Sequence, residues 1–140
     1  MSAENETVVR RYFEELCNQR KLEVADEIIA AEFVSHTPNS PPASGPDGVK
    51  EVVAIYQDAL EGHWDVQEMV SVNDRVITRW IGRGKHVGEI NGIPPTGNTV
   101  TVDAISIHRV ADGKITEDWT VWDTLGMLQQ IGAVPGPVTA

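Results

Sequence analysis

The segment GKITEDWTVWDTLG, residues 113–126, sets the acids Glu117, Asp118 and Asp123 among the indoles of Trp119 and Trp122, in a run otherwise patterned like a β-strand. A carboxyl group held against indole rings is partly stripped of water, and such a group can exchange a proton with a carbon acid as general acid or base. Imidazole is the other side chain suited to proton transfer near neutral pH. His36 closes EFVSH, His86 lies in GKHVG and His108 lies in ISIHRV. Side chains alternate across a strand, so Asp118, Thr120 and Trp122 share one face of the last strand, while Ser106 and His108 share one face of the strand before it. Without a bulge, Ile115, Trp119, Val121 and Asp123 face the other way. Trp80, Trp119 and Trp122 offer flat faces for a ring system, and Tyr12 offers a phenol that could donate to an oxyanion.

The elements that must position these groups follow from periodicity. Val9, Tyr12, Phe13 and Leu16 recur at helical spacing, which predicts a helix over about 4–19 with Ser2 or Asn5 as its cap. Leu22, Ala25, Ile28 and Ile29 predict a shorter second helix, and EFVSH a strand entering the Pro-rich loop HTPNSPPASGP. Val49, Val52, Val53, Tyr56 and Leu60 mark a third helix that starts at Gly-Pro-Asp-Gly. From about residue 65 the period becomes two, with WDVQEMVSV, RVITRWIGRGKHVGEI, TVTVDAISIHRV and KITEDWTVWD separated by Asn73-Asp74, NGIPPTGN and Asp112-Gly113. A short helix capped by Asp123 closes the pattern near Gly132. The expectation is an α+β chain, one domain over 1–140, in which three N-terminal helices cover one face of a curved antiparallel sheet.

Composition narrows the partners. The 140 residues carry 21 acids against 11 Lys and Arg, a net charge of −10, which repels nucleic acid phosphates and anionic membrane surfaces. Cys17 is the lone cysteine, no Cys/His cluster has zinc spacing, and no apolar run is long enough for a signal peptide or span. No metal, no nucleic acid, no membrane and a cytoplasmic location are the resulting expectations.

The segments GKHVGEINGIPPTGNTV, HRVADGKI and WDTLGMLQQIG, with the helix order upstream, resemble the SnoaL-like polyketide cyclase family, within the NTF2-like class of cone-shaped α+β barrels. That resemblance covers about residues 5–133. It implies a cofactor-independent aldol cyclase in which an Asp on the last strand is the acid/base, assisted by a His on the strand before. Aligned on Asp112-Gly113-Lys114-Ile115, those two positions fall on Thr120 and Ser106, so neither group is present here. The resemblance also turns the face bearing Asp118, Thr120 and Trp122 toward the inside of the cone.

With the family pair absent, Asp118 becomes the first candidate for proton transfer, with His36 sharing acid and base duties; His36 stands near the place where ketosteroid isomerases of this fold class carry their base. His108, one pleat along from Ser106, is a candidate substitute for the missing histidine. Ser106, Thr120, Trp122, Tyr12, Trp80 and His86 complete the expected binding set. The leading expectation is a polyketide cyclase-like enzyme acting beside a carbonyl of a hydrophobic substrate. Alternatives are an isomerase or dehydratase, an epoxide hydrolase using Arg79, Asp103 and Asp118, and a non-catalytic small-molecule-binding module. A homodimer formed through the outer residues of VITRW and ISIHRV is also expected.

Overall fold

Val9, Phe13, Leu16 and Cys17 are all fully buried, at the i, i+4, i+7, i+8 spacing of one helix face turned to the core. In the computed structural model, which describes residues 2–38, 40 and 42–136, α1 (Ser2–Arg11) runs into a π-helical segment, Tyr12–Asn18. Its wider turns leave carbonyls that a neighbour satisfies: Gln57 Nε2 donates to Leu16 O at 3.2 Å and to Cys17 O at 2.8 Å. Since the helix begins at Ser2, Asn5 lies inside it and is no cap.

A 3₁₀ turn, Leu22–Val24, leads into α2 (Ala25–Ile28), and the chain then extends as β1 (Ile29–His36). Asn39 and Pro41 of the Pro-rich loop, Met1 and the last four residues of the expected domain lie outside the described residues. After that loop comes α3 (Gly45–Leu60), which carries Pro46 in its first turn and buries Val49, Val53, Gln57 and Leu60. Four long strands follow: β2 (His63–Val72), β3 (Arg75–Lys85), β4 (Thr99–Ala111) and β5 (Lys114–Trp122). The turn between β4 and β5 is Asp112-Gly113, with φ of 51° and 77°, the two positive values a type I′ hairpin requires. The last element, α4 (Thr124–Gln130), is capped by Asp123, whose Oδ1 accepts from Gly126 N at 2.8 Å.

The five strands form one sheet in the order β1-β5-β4-β3-β2. It curves without closing, so the expected cone is open between the β1 and β2 edges. The expectation of an antiparallel sheet needs one correction: β1 pairs with β5 in parallel, with Ser35 opposite Asp118 and His36 opposite Trp119. The other three pairs are antiparallel. β4 alternates buried and exposed residues along its length, which sends Val100, Val102, Ala104, Ser106, His108 and Val110 inward.

In β5 the register against β4 slips between Ile115 and Glu117, making Thr116 a bulge. Ile115 therefore joins the core instead of facing outward, while Trp119 and Val121 keep the outward orientation expected of them. Two apolar clusters lie on the concave side. One joins the first helix and α3 to the sheet, and the other gathers Leu60, Ile90, Val100, Val102, Met127 and Ile131 beneath α4.

Candidate functional site

Between these clusters the sheet and helices enclose a hollow of about 140 Å³. Most of its wall is apolar: Phe13, Val53, Tyr56, Trp64, Trp80, Val102 and Trp122. Trp122 and Tyr56 meet edge to face, with centroids 5.7 Å apart and planes at 82°. Asn18 fixes Trp64 through a reciprocal pair, donating to Trp64 O at 2.8 Å and accepting from Trp64 N at 2.7 Å. Ser40, Val52 and His63 line the hollow yet remain exposed, which locates its mouth.

The polar wall comes from β1, β4 and β5. Asp118 is buried, 6% exposed, and lines the hollow. One of its carboxylate oxygens, Oδ1, accepts from Ser35 Oγ at 2.6 Å. The other, Oδ2, faces His108 Nε2 at 3.6 Å, across the directly opposed pair His108–Asp118. That pair is too long for a hydrogen bond, and both ring nitrogens of His108 are buried without a partner among the described residues. Burial holds the His108 pKa below its ordinary value, opposed by the nearby Asp118 carboxylate. The ring packs against Tyr12 and Phe13, with centroids 5.1 and 5.8 Å away, and stands behind Asp118 instead of on the wall.

Beside Asp118, three more polar groups make a chain. Trp80 Nε1 donates to Ser106 Oγ at 3.0 Å, and Ser106 Oγ lies 2.9 Å from Thr120 Oγ1. Ser106, Thr120, Trp80 and Trp122 all line the hollow. Tyr12 lines it as well. Burial, reinforced by Cys17 and Asp118, pushes the Tyr12 phenol well above its ordinary pKa.

Two other expectations are corrected by position. His36 lies on the opposite face of the sheet, with a half-exposed side chain; its Nε2 is 2.7 Å from Glu117 Oε2 and its ring stacks on Trp119 at 5.5 Å. One residue of strand parity separates it from the hollow. His86 is fully buried away from the wall, where its Nδ1 accepts from Thr96 N at 3.2 Å and contacts Thr96 Oγ1 at 3.0 Å. It holds the loop that contains GIPPTG. The Arg79, Asp103 and Asp118 set also fails to assemble: Arg79 pairs with Glu68 at 2.7 Å and, like Asp103, is exposed, while Asp118 is inside. Ser35 is the residue that sequence reasoning missed. The signal was available in EFVSH, where Ser35 shares parity with Phe33, an obvious core residue.

Among the described residues no three His, Cys, Asp or Glu side chains gather as a metal site, and no helix is long and apolar enough to cross a membrane.

Comparison with known proteins gives one consistent result. The family model described as SnoaL-like polyketide cyclase matches residues 7–131. Aklanonic acid methyl ester cyclase DnrD of Streptomyces peucetius is 30% identical over 131 residues, spanning 89% of this chain and 88% of that protein. The structure of IdmH from Streptomyces antibioticus superposes with a TM-score of 0.78 at 32% identity, covering 91% of this chain and 98% of that one. A SnoaL-like protein from Jannaschia sp. CCS1 shares the fold with a TM-score of 0.86 at 23% identity, covering 96% of this chain and 95% of that one.

Proposed function

The chain belongs to the SnoaL-like polyketide cyclase family, and from that premise we propose that it closes a carbocyclic ring in an aromatic polyketide by proton transfer at Asp118. The carrying observation is a carboxyl group on the wall of an otherwise apolar hollow, fixed through one oxygen by Ser35. Fixing Oδ1 leaves Oδ2 as the free acceptor. In the proposed reaction Asp118 takes the proton from a carbon next to a carbonyl, and the electron pair of the broken C–H bond passes to the carbonyl oxygen as an enolate. The enolate carbon then attacks a second carbonyl of the same molecule, forming the C–C bond. The new alkoxide takes the proton back from Asp118. Product and substrate are isomers, so the steps balance without a co-reactant.

Supporting groups follow from the same geometry. His108, buried behind Asp118 with Nε2 3.6 Å from Oδ2, backs the carboxyl group with a ring that keeps water from that side. Trp80, Trp122 and Tyr56 give flat surfaces for a ring system. A cavity of about 150 Å³ is known to hold one benzene ring, so a hollow of this size encloses the reacting ring while the rest of the substrate extends through the mouth.

We take the domain over 1–140 to work in the cytoplasm as a homodimer. The support for the dimer is the uncovered face of the sheet, where Val70, Ile105 and Val121 are 53%, 49% and 62% exposed. Sedimentation of a variant with Ile105 and Val121 changed to Lys tests that contact.

The test of the reaction is Asp118→Asn assayed on aklanonic acid methyl ester, the substrate in the name of the relative DnrD. We expect kcat to fall by about 10²–10⁴, the usual contribution of general acid–base catalysis, with the fold retained by circular dichroism. Wild-type turnover in this variant overturns the assignment of Asp118.

A further inference from the structure

The Trp80, Ser106 and Thr120 chain has a direction. An indole N–H can only donate, so Ser106 Oγ must accept from Trp80 Nε1, at 3.0 Å. Ser106 is 2% exposed and has a single hydroxyl proton to place. Among the described residues, the acceptor within its reach is Thr120 Oγ1, at 2.9 Å. Thr78 stands directly opposite Ser106 on β3, but its Oγ1 makes no hydrogen bond. Leaving the Ser106 proton unpartnered in a buried site would cost about 1–3 kcal/mol, so the proton goes to Thr120. Thr120 then accepts from behind, and its own proton is free on the side of the hollow, where the described residues offer it no acceptor.

The geometry points to Thr120 as the donor that holds the substrate's carbonyl oxygen and the enolate formed from it, its O–H aimed by a one-way relay from Trp80 through Ser106. This deepens the reading of Asp118 as the base and rests on it for the reaction, though not for the binding. Thr120 touches substrate; Ser106 and Trp80 are positioning residues. Asp118 and Thr120 are two residues apart on one face of β5, about 7 Å along the strand. A carbonyl oxygen at Thr120 and the adjoining C–H at Asp118 can therefore lie along one edge of a planar substrate. The relay also accounts for a departure from the family pattern. The resemblance puts an acidic residue at position 120 and a histidine at 106, whereas this chain makes 120 a neutral donor and carries its carboxyl group two residues earlier.

The experiment uses acetophenone, a single ring with a conjugated ketone, labelled with ¹³C at the carbonyl and read by infrared difference spectroscopy on the bound complex. In wild type the carbonyl stretch is expected below its frequency in an apolar solvent, and Thr120→Ser keeps the shift. Thr120→Val, which has the same shape, loses it, and Trp80→Phe reduces it. On the ring-closure substrate, Thr120→Val should lower kcat by about a hundredfold, as removal of one oxyanion donor does, while Thr120→Ser restores most of it. Asp118→Asn must keep the infrared shift even as turnover is lost, which separates the two assignments. A wild-type carbonyl at the apolar-solvent frequency, or an unchanged shift in Thr120→Val, overturns the relay.

Discussion

The hydroxyl of Ser35 donates to Oδ1 of Asp118 at 2.6 Å across the parallel β1–β5 pair, in which the two residues are direct partners in register. A hydrogen bond to a charged acceptor contributes about 1.5–3 kcal/mol, and this one also decides which carboxylate oxygen points at substrate. Ser35→Ala should therefore reduce kcat by roughly ten- to a hundredfold, with KM changing little. Ser35→Thr, which keeps the hydroxyl on a strand that tolerates β-branching, should recover most of the rate. Equal rates for wild type and Ser35→Ala in a steady-state ring-closure assay would sink the claim that this bond orients the base.

The complementary outcome is expected one residue later. His36 faces away from the hollow, held by Glu117 at 2.7 Å, and Glu117 is shared with Arg109 Nη1 at 2.9 Å. Its side chain is 45% exposed, so this surface contact is worth at most about 1 kcal/mol. His36→Ala should keep kcat within about twofold of wild type and lower the melting temperature by no more than a few degrees. A loss of turnover comparable to that of Asp118→Asn would mean that the outer face takes part in the reaction.

These neighbouring residues show how far the sequence could be read. Periodicity located the helices and the four long strands, and alternation grouped Ser106 with His108 and Asp118 with Thr120 and Trp122, because long alternating strands constrain every side chain at once; the family resemblance turned the Asp118 face inward. The same rule, applied from Phe33, sends Ser35 inward and His36 outward. Other features were not legible. The pitch change at Tyr12–Asn18 depends on a glutamine about forty residues away that satisfies the displaced carbonyls. The parallel entry of β1 depends on where α3 carries the chain, and the bulge at Thr116 on the partner strand. All three are set by tertiary context that local pattern does not encode.

His108 gives the fold a dependence on pH whose sign follows from its burial. An exposed imidazole in the unfolded chain binds its proton at about pH 6.5, whereas burial holds the folded-state pKa below its ordinary value. As the pH drops below 6.5, the unfolded chain gains protons that the folded one does not, and the balance moves toward unfolding. The contribution of His108 is thus complete above that pH and lost as the pH falls through the folded-state pKa. His108→Phe removes this component and fills similar space beside Tyr12 and Phe13. Urea midpoints measured at pH 7.5 and 5.5 should fall more steeply in wild type than in the variant. Parallel declines would show that the acid sensitivity arises elsewhere.

The end of α3 closes against β3 at Gly84, where an added Cβ would run into the carbonyl oxygen of Leu60. That carbonyl cannot retreat easily, because the same helix end is tied down by Val87 N and Gly88 N, which both donate to Ala59 O, at 2.8 and 3.0 Å. Gly82, one pleat nearer the Trp80 ring, would meet side chains only: Val102 Cγ2 at 3.0 Å and the indole of Trp80 at 3.2 Å. Both glycines line the hollow, so the pair separates a backbone clash from a crowded pocket. Gly84→Ala should cost about 1–3 kcal/mol of stability, lowering the melting temperature by roughly 4 °C per kcal/mol for a chain of this length. Gly82→Ala should cost less stability but raise KM, since its methyl group narrows the hollow beside Trp80. Calorimetry and steady-state kinetics on the two variants check this, and a Gly84→Ala protein as stable as Gly82→Ala would mean that the helix end is free to move.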